Sequence, residues 1–558
     1  MTGIRSRVDS LRRRRGLKQD AVAGLVLGVE SVPDGLAGGL LAGVNPVFGL
    51  YAYMVGTVSG ALFTSSTFMA VQATGAMAII VSDVPSVHTG EDPESALFTL
   101  SIITGVIMLV AGLLRLGSLL RWVSNAVMVG FINAVGVNII LGQLDNFSGY
   151  EAEGSNRVLR AFDLLLNLSE AHWPSMLIGT VTILLIIILE RTRLGALGMV
   201  VAIVATSALA VIIDRTVATL GDVTEIPGSL PLPVLPDPGL IVDLIVPAAA
   251  LAFVGLVQGA AISANFPNPD GRYPDASRDF VGQGVANVAS GLFQGMPVGG
   301  SMSGSSLVKE AGARTKAAMV IASVVMAVCI LVLGEAVAYI AMPALAGLLM
   351  LIGFRTIKPA DIKAVWRTGP TQAAVLAVTF TLTMLIPLQT AVLVGAGISV
   401  ILYVIRQSNQ VKVKEWEFDG SGRMREVDPP TEVPEQSVLV LQPYGSLFFA
   451  AAPVFESALP RITERSRRSV VILRLRGKSD LGSTFMEVIS RYGIKLNEVD
   501  SKLMIVSASP RVIEQLNITG VADILGPENV YPSDEWIGGT LARAHADARA
   551  WIDAQTTR

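Results

Sequence analysis

The chain has 558 residues, of which 51% are hydrophobic and only 16% are charged, with a formal net charge of −3. Soluble domains carry roughly 25% charged residues, so this composition and a mean hydropathy of +0.58 exclude a wholly soluble protein. The single cysteine, Cys329, excludes a disulfide framework and a thiolate metal site. No G-x-x-x-x-G-K-S/T phosphate loop occurs, so ATP-driven pumping has no support.

Residues 1–19 form a basic segment. Its charged residues up to position 18 are Arg5, Arg7, Arg12, Arg13, Arg14, Arg15 and Lys18 against Asp9. Such a run can bind nucleic acid, but directly before an apolar helix it favours retention of the N-terminus in the cytoplasm. We therefore expect no nucleic-acid partner. No small-residue cleavage site ends a short apolar core, so a cleaved signal peptide is not predicted.

Apolar runs then recur between residues 20 and 406 and predict an all-α polytopic membrane domain of fourteen segments. The segments are predicted at 20–43, 46–65, 68–82, 95–114, 120–142, 174–190, 195–213, 240–264, 278–296, 302–312, 315–334, 337–353, 370–388 and 389–406. The third and the tenth are too short to cross a bilayer as simple helices.

Loop charges predict the orientation of these segments. Of the three long loops predicted outside, 83–94 has no Lys or Arg, 143–173 has Arg157 and Arg160, and 214–239 has Arg215. The predicted inward loops carry Arg115 and Arg121; Arg191 and Arg193; Arg272 and Arg278; Arg314 and Lys316; and Arg355, Lys358, Lys363 and Arg367. The positive-inside rule therefore predicts a multi-pass protein of the cytoplasmic membrane with both termini cytoplasmic.

The two short segments occupy matching places, because each is the third of its seven-segment half. Each opens with polar or Gly-rich sequence, at 64–75 and 295–306, as in inverted-repeat transporters. A helix that begins at membrane depth presents unpaired amides and an effective charge of about +0.5, so two such ends make an anion site. The alternative is that Gly and Ser only permit close helix packing. The predicted binding residues are Gln72, Ala73, Thr74, Gly75, Ser301, Ser303, Gly304 and Ser305.

Polar side chains within spans add further candidates, because burying them in a bilayer is costly. Asp34 follows Pro33 in the first span and is a candidate for binding the substrate or a coupling ion; the alternative is a structural, protonated carboxyl. Glu30, nearer the cytoplasmic end, is a second coupling-ion candidate or a hydrated side chain. Gln258 in the eighth span either lines the site or hydrogen-bonds between helices.

The remainder of the chain is predicted to be soluble. Residues 407–436 are charged, contain Pro429-Pro430 and predict a linker. Over 437–558, strands at 438–441, 470–475 and 503–506 alternate with helices near 453–466, 484–499, 510–517 and 534–553, which predicts a small α/β domain. Ser507 and the 477–484 loop carry no catalytic triad, and His88, His172 and His545 are scattered and expected to be solvated. We expect no enzyme, no metal and no cofactor other than a coupling H⁺ or Na⁺.

Three stretches together resemble the sulfate permease (SulP) family of anion transporters. They are 32–37 (VPDGLA) with 46–51 (PVFGLY), 311–315 (AGART), and 444–450 (YGSLFFA), the last similar to the family's STAS domain. The resemblance implies a seven-plus-seven inverted repeat of the uracil-permease type, divided into a core and a gate. It also implies a homodimer, elevator-like movement of the core, and a small anion such as sulfate, bicarbonate, chloride or a dicarboxylate as substrate.

The chain also departs from the family. Many relatives have an amide after the first-span proline and an acid in the eighth span, an arrangement that Asp34 and Gln258 reverse. Any H⁺ or Na⁺ coupling is then expected to run through Asp34, while Ile262 replaces the hydroxyl that bicarbonate carriers place near their acid. Gly304 stands where some animal relatives have Arg. Ser483 aligns with the phosphorylated serine of soluble relatives, although an N-terminal helix cap is the favoured interpretation.

Three other functions compete with secondary anion transport. A nucleobase permease shares the fold but needs acidic residues where this chain has Gln258 and the 299–306 stretch. A membrane-anchored signalling scaffold would not need two broken helices. A channel-like uniporter stays open, and the sequence selects neither the anion nor the coupling ion or direction.

Overall fold

The computed structural model describes residues 16–117, 124–223, 228–388, 411–418, 423–447, 449–478, 480–536 and 538–556, with a few positions between 390 and 405. Two compact units are present, the first reaching to residue 399 and the second starting at residue 400. Most of the predicted basic segment and much of the predicted fourteenth span lie outside the described residues.

The first unit is helical apart from two short strands. Its elements are α1 (Leu17–Leu41), α2 (Pro46–Phe63), β1 (Ala70–Gln72), α3 (Gly75–Ser82), α4 (Ser86–Thr89), α5 (Pro93–Leu113), α6 (Asn125–Leu141), α7 (Leu144–Ser148), α8 (Arg157–Leu166), α9 (Trp173–Glu190), α10 (Leu197–Ile213), α11 (Leu220–Val223), α12 (Ile241–Asn265), α13 (Ala276–Leu292), β2 (Gly299–Ser301), α14 (Met302–Glu310), α15 (Ala317–Val337), α16 (Met342–Thr356), α17 (Pro359–Thr368) and α18 (Pro370–Leu385). Within the described residues, seven helical stretches are long and apolar enough to cross a membrane by length and composition.

Each of the first thirteen predicted segments contains a helix, and the third and tenth contain short helices, as predicted. The short strand that precedes each of these two helices was not predicted. The surface helices α4, α7, α8 and α17 were not predicted. The twelfth segment begins at Met342 instead of residue 337, since α15 continues to Val337. Hydropathy misses this break because the residues between the two helices, 338–341, carry no charge.

Most helices of the first unit pack as two groups. The core group contains α1, α2, α3, α5 and α12 to α15, and the gate group contains α6 to α10 and α16 to α18. Between the groups, α1 packs on α10 and α16, and α3 packs on α6. The division into a core and a gate that the resemblance implied is therefore present in the packing.

A buried carboxylate joins the two halves of the core group. Asp20 in the first turn of α1 is 1% exposed. Its Oδ1 accepts hydrogen bonds from the amides of Arg314 (2.7 Å) and Thr315 (2.9 Å), and its Oδ2 accepts from Thr315 Oγ1 (2.7 Å). The loop that follows α14 is thus held against the start of α1, which fixes where α14 ends.

The second unit is a six-stranded sheet with helices. Its elements are β3 (Lys412–Phe418), β4 (Met424–Val427), β5 (Val438–Tyr444), α19 (Ala452–Ala458), β6 (Val470–Arg474), α20 (Gly482–Glu498), β7 (Lys502–Ala508), α21 (Pro510–Ile518), α22 (Val521–Leu525), β8 (Val530–Pro532) and α23 (Gly539–Thr556). The strand order is β4-β3-β5-β6-β7-β8, parallel from β5 onward and antiparallel around β3. One face packs on α19 to α22 and the other on α23.

Three predictions for this unit were wrong. The stretch 407–436 is no simple linker, because it contains β3 and β4, whose charged side chains hide an edge strand from the hydropathy pattern. The helix predicted over 453–466 ends at Ala458. Ser483 is not a helix cap, since the cap position is Leu481 and no side chain caps α20.

The histidines are less solvated than predicted. His88 Nε2 lies 3.3 Å from the Val81 carbonyl, and His172 Nε2 lies 3.4 Å from Asp214 Oδ2. His545 packs against the Phe418 ring, and burial lowers the pKa of its imidazole.

We predict that Asp20→Ala destabilises the membrane unit, because the partly buried amides of Arg314 and Thr315 lose their acceptor. Leaving buried donors unpaired costs about 1–3 kcal/mol per group. Thermal unfolding of the detergent-solubilised protein measures the effect. Asp20→Asn keeps one oxygen for the amides and serves as the control, with a much smaller loss expected. Equal unfolding temperatures for Asp20→Ala and the unaltered chain would contradict the role of this carboxylate.

Candidate functional site

Two extended segments, one from each half of the chain, pair with each other inside the core group. Strands β1 and β2 pair antiparallel, as an inverted repeat requires, with the register Ala70↔Ser301, Val71↔Gly300 and Gln72↔Gly299. All six residues are buried. The Ala70 amide also donates to Ser305 Oγ (3.1 Å), which donates to the Ser301 carbonyl (2.5 Å). The strands therefore satisfy much of each other's backbone hydrogen bonding at a buried place.

A half-helix follows each strand and begins with a hydroxyl cap. Thr74 Oγ1 accepts from the Met77 amide (3.4 Å) at the start of α3, and Ser301 Oγ accepts from the Gly304 amide (3.2 Å) at the start of α14. The amides at the first two helical positions have no carbonyl four residues back within the helix. They belong to Gly75 and Ala76 in α3 and to Met302 and Ser303 in α14.

A row of polar side chains on α13 supports both crossing segments. Asp279 Oδ1 accepts from the amides of Ser65 (2.5 Å) and Ser66 (3.1 Å), just before β1. The next two members of the row bind β2 and the residue before it: Gln283 Oε1 accepts from the Gly300 amide (3.0 Å), Asn287 Oδ1 accepts from the Val298 amide (2.8 Å), and Asn287 Nδ2 donates to the Val298 carbonyl (2.6 Å). Sequence reasoning missed this row, whose signal is polar residues spaced by four within an apolar span.

The two helix beginnings open onto a cavity of about 510 Å³ that is lined by both groups of helices. Of the predicted site residues, the lining includes Glu30, Asp34, Ala73, Thr74, Gly75, Gln258, Ser301 and Ser303. Gln72, Gly304 and Ser305 do not line it. Gln72 Nε2 instead donates to Ser31 Oγ (3.0 Å), and Ser305 ties the strands together as above. These three residues pack behind the residues that line the cavity and do not face it themselves.

Gln258 faces the cavity from α12. Its Oε1 accepts a hydrogen bond from Thr74 Oγ1 (3.0 Å), the residue that caps α3. Gln258 therefore both lines the cavity and bonds to a neighbouring segment, the two roles that the sequence analysis left as alternatives. Because Thr74 uses the carbonyl, the NH₂ group of Gln258 remains to donate toward the cavity.

The carboxylates of α1 line the same cavity. Asp34 Oδ2 accepts a hydrogen bond from Tyr53 Oη of α2 (2.7 Å), a partner that the sequence analysis did not identify. Glu30 lies one turn earlier and also lines the cavity. On the gate side, Arg355 forms a two-pronged ion pair with Glu190, at 3.0 Å from Oε1 and 2.5 Å from Oε2.

Close packing explains the glycine before α14, Gly300, and the glycine in its first turn, Gly304. A Cβ on Gly300 would lie 2.9 Å from Gly259 Cα of α12 and 2.9 Å from Ile262 Cδ1. A Cβ on Gly304 would meet Gln72 Oε1 at 2.4 Å. The packing that Gly permits and the exposure of helix N-termini are therefore two aspects of one arrangement, which can hold a small anion by amide, hydroxyl and carboxamide donors.

Comparisons with known proteins agree with this architecture. Residues 17–379 match the model of the sulfate permease family, and residues 430–535 match the STAS domain. The chain is 26% identical over 530 residues to the putative sulfate transporter YvdB of Bacillus subtilis, covering 94% of this chain and 97% of that one. It is 25% identical over 404 residues to the bicarbonate transporter BicA of Picosynechococcus, covering 71% of each.

Solved structures show the same fold. Murine Slc26a9, an anion transporter in the inward-facing state, superimposes with a TM-score of 0.83 at 19% identity, covering 98% of this chain and 94% of that one. The transmembrane domain of BicA gives 0.59 at 22% identity, covering 70% and 98%. The predicted membrane fold with a STAS domain is thereby confirmed.

We predict that Gly300→Ala weakens the site, because its methyl group would press on the backbone of α12. Overpacking of this kind costs about 1–3 kcal/mol. The unfolding temperature should fall, and the increase in that temperature on binding an anion should become smaller. Gly228→Ala is the matched control, since a Cβ there meets nothing within 4 Å. Indistinguishable behaviour of the two variants would contradict the close approach of β2 and α12.

Proposed function

Because the chain belongs to the sulfate permease family, whose members are membrane transporters and not enzymes, we propose that it is a secondary transporter of a small anion. The observation that carries the proposal is the meeting of two helix N-termini, those of α3 and α14, at one cavity. Each end contributes an effective charge of about +0.5 and two unpaired amides. Sulfate and bicarbonate, named for the relatives, and chloride or a dicarboxylate are the substrates to test.

We further propose that transport proceeds by elevator-like movement of the core group against the gate group. The cavity extends to Glu190, Arg355 and Lys358, the end that loop charges assign to the cytoplasm, which supports an inward-facing state. At the opposite end, Asp83, just after α3, accepts from Arg157 Nη2 (2.8 Å) and from the Leu388 amide (2.8 Å), both in the gate group or directly after it. Movement of the core group away from the cytoplasmic end would require these contacts with the gate group to break.

The proposed setting is the cytoplasmic membrane, with both termini inside and two chains forming a homodimer. Loop charges support the orientation, and the resemblance to the family supports the dimer. A nucleobase permease is not favoured, since the matching family and relatives are sulfate permeases and Gln258 replaces the acid that would hold a base.

The proposal is tested by thermal-shift measurements on the purified protein with sulfate, bicarbonate, chloride, fumarate and uracil, followed by flux in proteoliposomes. We expect stabilisation by at least one anion, and flux of that anion that saturates and shows counter-transport. Stabilisation by uracil alone would overturn anion transport. Flux that neither saturates nor counter-transports would indicate a channel-like uniporter instead.

We predict that Asp34→Asn abolishes coupling to H⁺ or Na⁺, because it removes the cavity carboxylate that Tyr53 orients. Uptake of the identified anion into proteoliposomes, with and without a cation gradient, measures this. Tyr53→Phe keeps the carboxylate and removes only its hydrogen-bond donor, so coupling should persist there with altered dependence on the gradient. Glu30→Gln separates the second candidate. If Asp34→Asn leaves gradient-dependent uptake intact, coupling through Asp34 is wrong.

A further inference from the structure

Helix α8 presents an apolar face away from the protein. The side chains of Leu159, Phe162, Leu165 and Leu166 are exposed, with Phe162 61% and Leu166 83% accessible. They recur at spacings of three and four, so they lie on one side of the helix. Ala161 and Leu164 face the protein, and Leu164 is buried. A cluster of large apolar side chains on an exposed helix marks a surface that something apolar covers.

Two of the three charged residues of α8, Arg157 and Asp163, bind other parts of the protein, while Arg160 is half exposed, with Nη1 3.8 Å from Asp145 Oδ2. Arg157 Nη2 binds Asp83 Oδ1 (2.8 Å) and Ser82 Oγ (2.6 Å) at the end of α3. Asp163 Oδ2 accepts from Tyr150 Oη (3.1 Å) and from the Glu153 amide (2.9 Å). A helix at an aqueous surface has the reverse arrangement, with charges outward. The orientation of α8 is therefore that of a helix bordered by lipid on its outer side.

The place of α8 in the chain identifies its neighbour. It lies in the connection between the end of α6 and the start of α9, which are both membrane helices. Trp173, at the first position of α9, is 66% exposed, and Trp is enriched at the boundary between membrane and water. Further along α9, Leu177, Leu184 and Ile188 are also exposed. Helix α8 is thus followed, after the short connection 167–172, by a membrane helix whose apolar side chains are also exposed.

We propose that α8 is an interfacial helix whose outer face, formed by Leu159, Phe162, Leu165 and Leu166, lies among the lipids at the boundary of headgroups and acyl chains. The occupant is phospholipid, recognised by its hydrocarbon, because apolar side chains form this face. Interfacial helices are held by buried apolar area in this way. Lipid on the outer face and Asp83 on the inner face then hold Arg157 at a fixed depth.

The single native cysteine allows a direct test. Phe162→Cys and Leu166→Cys are made on the Cys329→Ser background, spin-labelled and reconstituted into phosphatidylcholine–phosphatidylglycerol nanodiscs. Power-saturation measurements compare access of oxygen, which concentrates in hydrocarbon, with access of a polar nickel chelate. Glu153→Cys, in the exposed loop before α8, is the aqueous control. The full-length chain carrying only its native Cys329 label gives a background to subtract, if Cys329→Ser does not fold.

We expect labels at 162 and 166 to be reached by oxygen several-fold more readily than by the nickel chelate, and the label at 153 to show the opposite ratio. Nickel access at 162 equal to that at 153 would overturn the proposal, since the face would then be in water. Labels shielded from both reagents, with dipolar broadening between chains, would also overturn it and assign the face to a second copy. None of these results depends on which anion is transported.

Discussion

A bilayer supplies no water to an unpaired amide or carbonyl, and each such group left bare in hydrocarbon costs several kcal/mol. The whole membrane unit is organised around two places where the backbone stops being helical at that depth. Strands β1 and β2 pair with one another, and side chains of α13 accept hydrogen bonds from backbone amides in and beside these strands. Only because those groups are satisfied can the first amides of α3 and α14 face a cavity.

The sequence predicted the broken helices and not their support. Small and polar residues at matching places in two halves are visible as a pattern, and their meaning follows from helix electrostatics. Asp279, Gln283 and Asn287 recur every four residues in an apolar span, but that spacing does not name their partners: Asp279 binds Ser65, far away in the chain, while Gln283 and Asn287 bind the segment directly after their own helix. Gln72 was assigned to the site on position alone, yet alternation along an extended strand turns it away from the cavity toward Ser31.

The soluble unit shows the same limit for a different reason. Its central parallel strands are nearly continuous apolar runs and were found from sequence. The edge strand β4 and its neighbour β3 mix charged with apolar residues over a short length, which composition alone cannot separate from a loop. Edge strands with charged side chains resist pairing with other chains, so the property that concealed them is one that protects the sheet.

The proposed anion site draws its attraction from peptide dipoles at the starts of α3 and α14, and this has a consequence for pH dependence. An ammonium or imidazolium group can lose a proton, but a peptide dipole cannot. The dipole contribution of the proposed site would therefore stay constant at any pH at which the protein stays folded. Variation with pH would have to come from the titratable side chains that line the cavity, such as Glu30, Asp34 and Lys358, or from the anion itself.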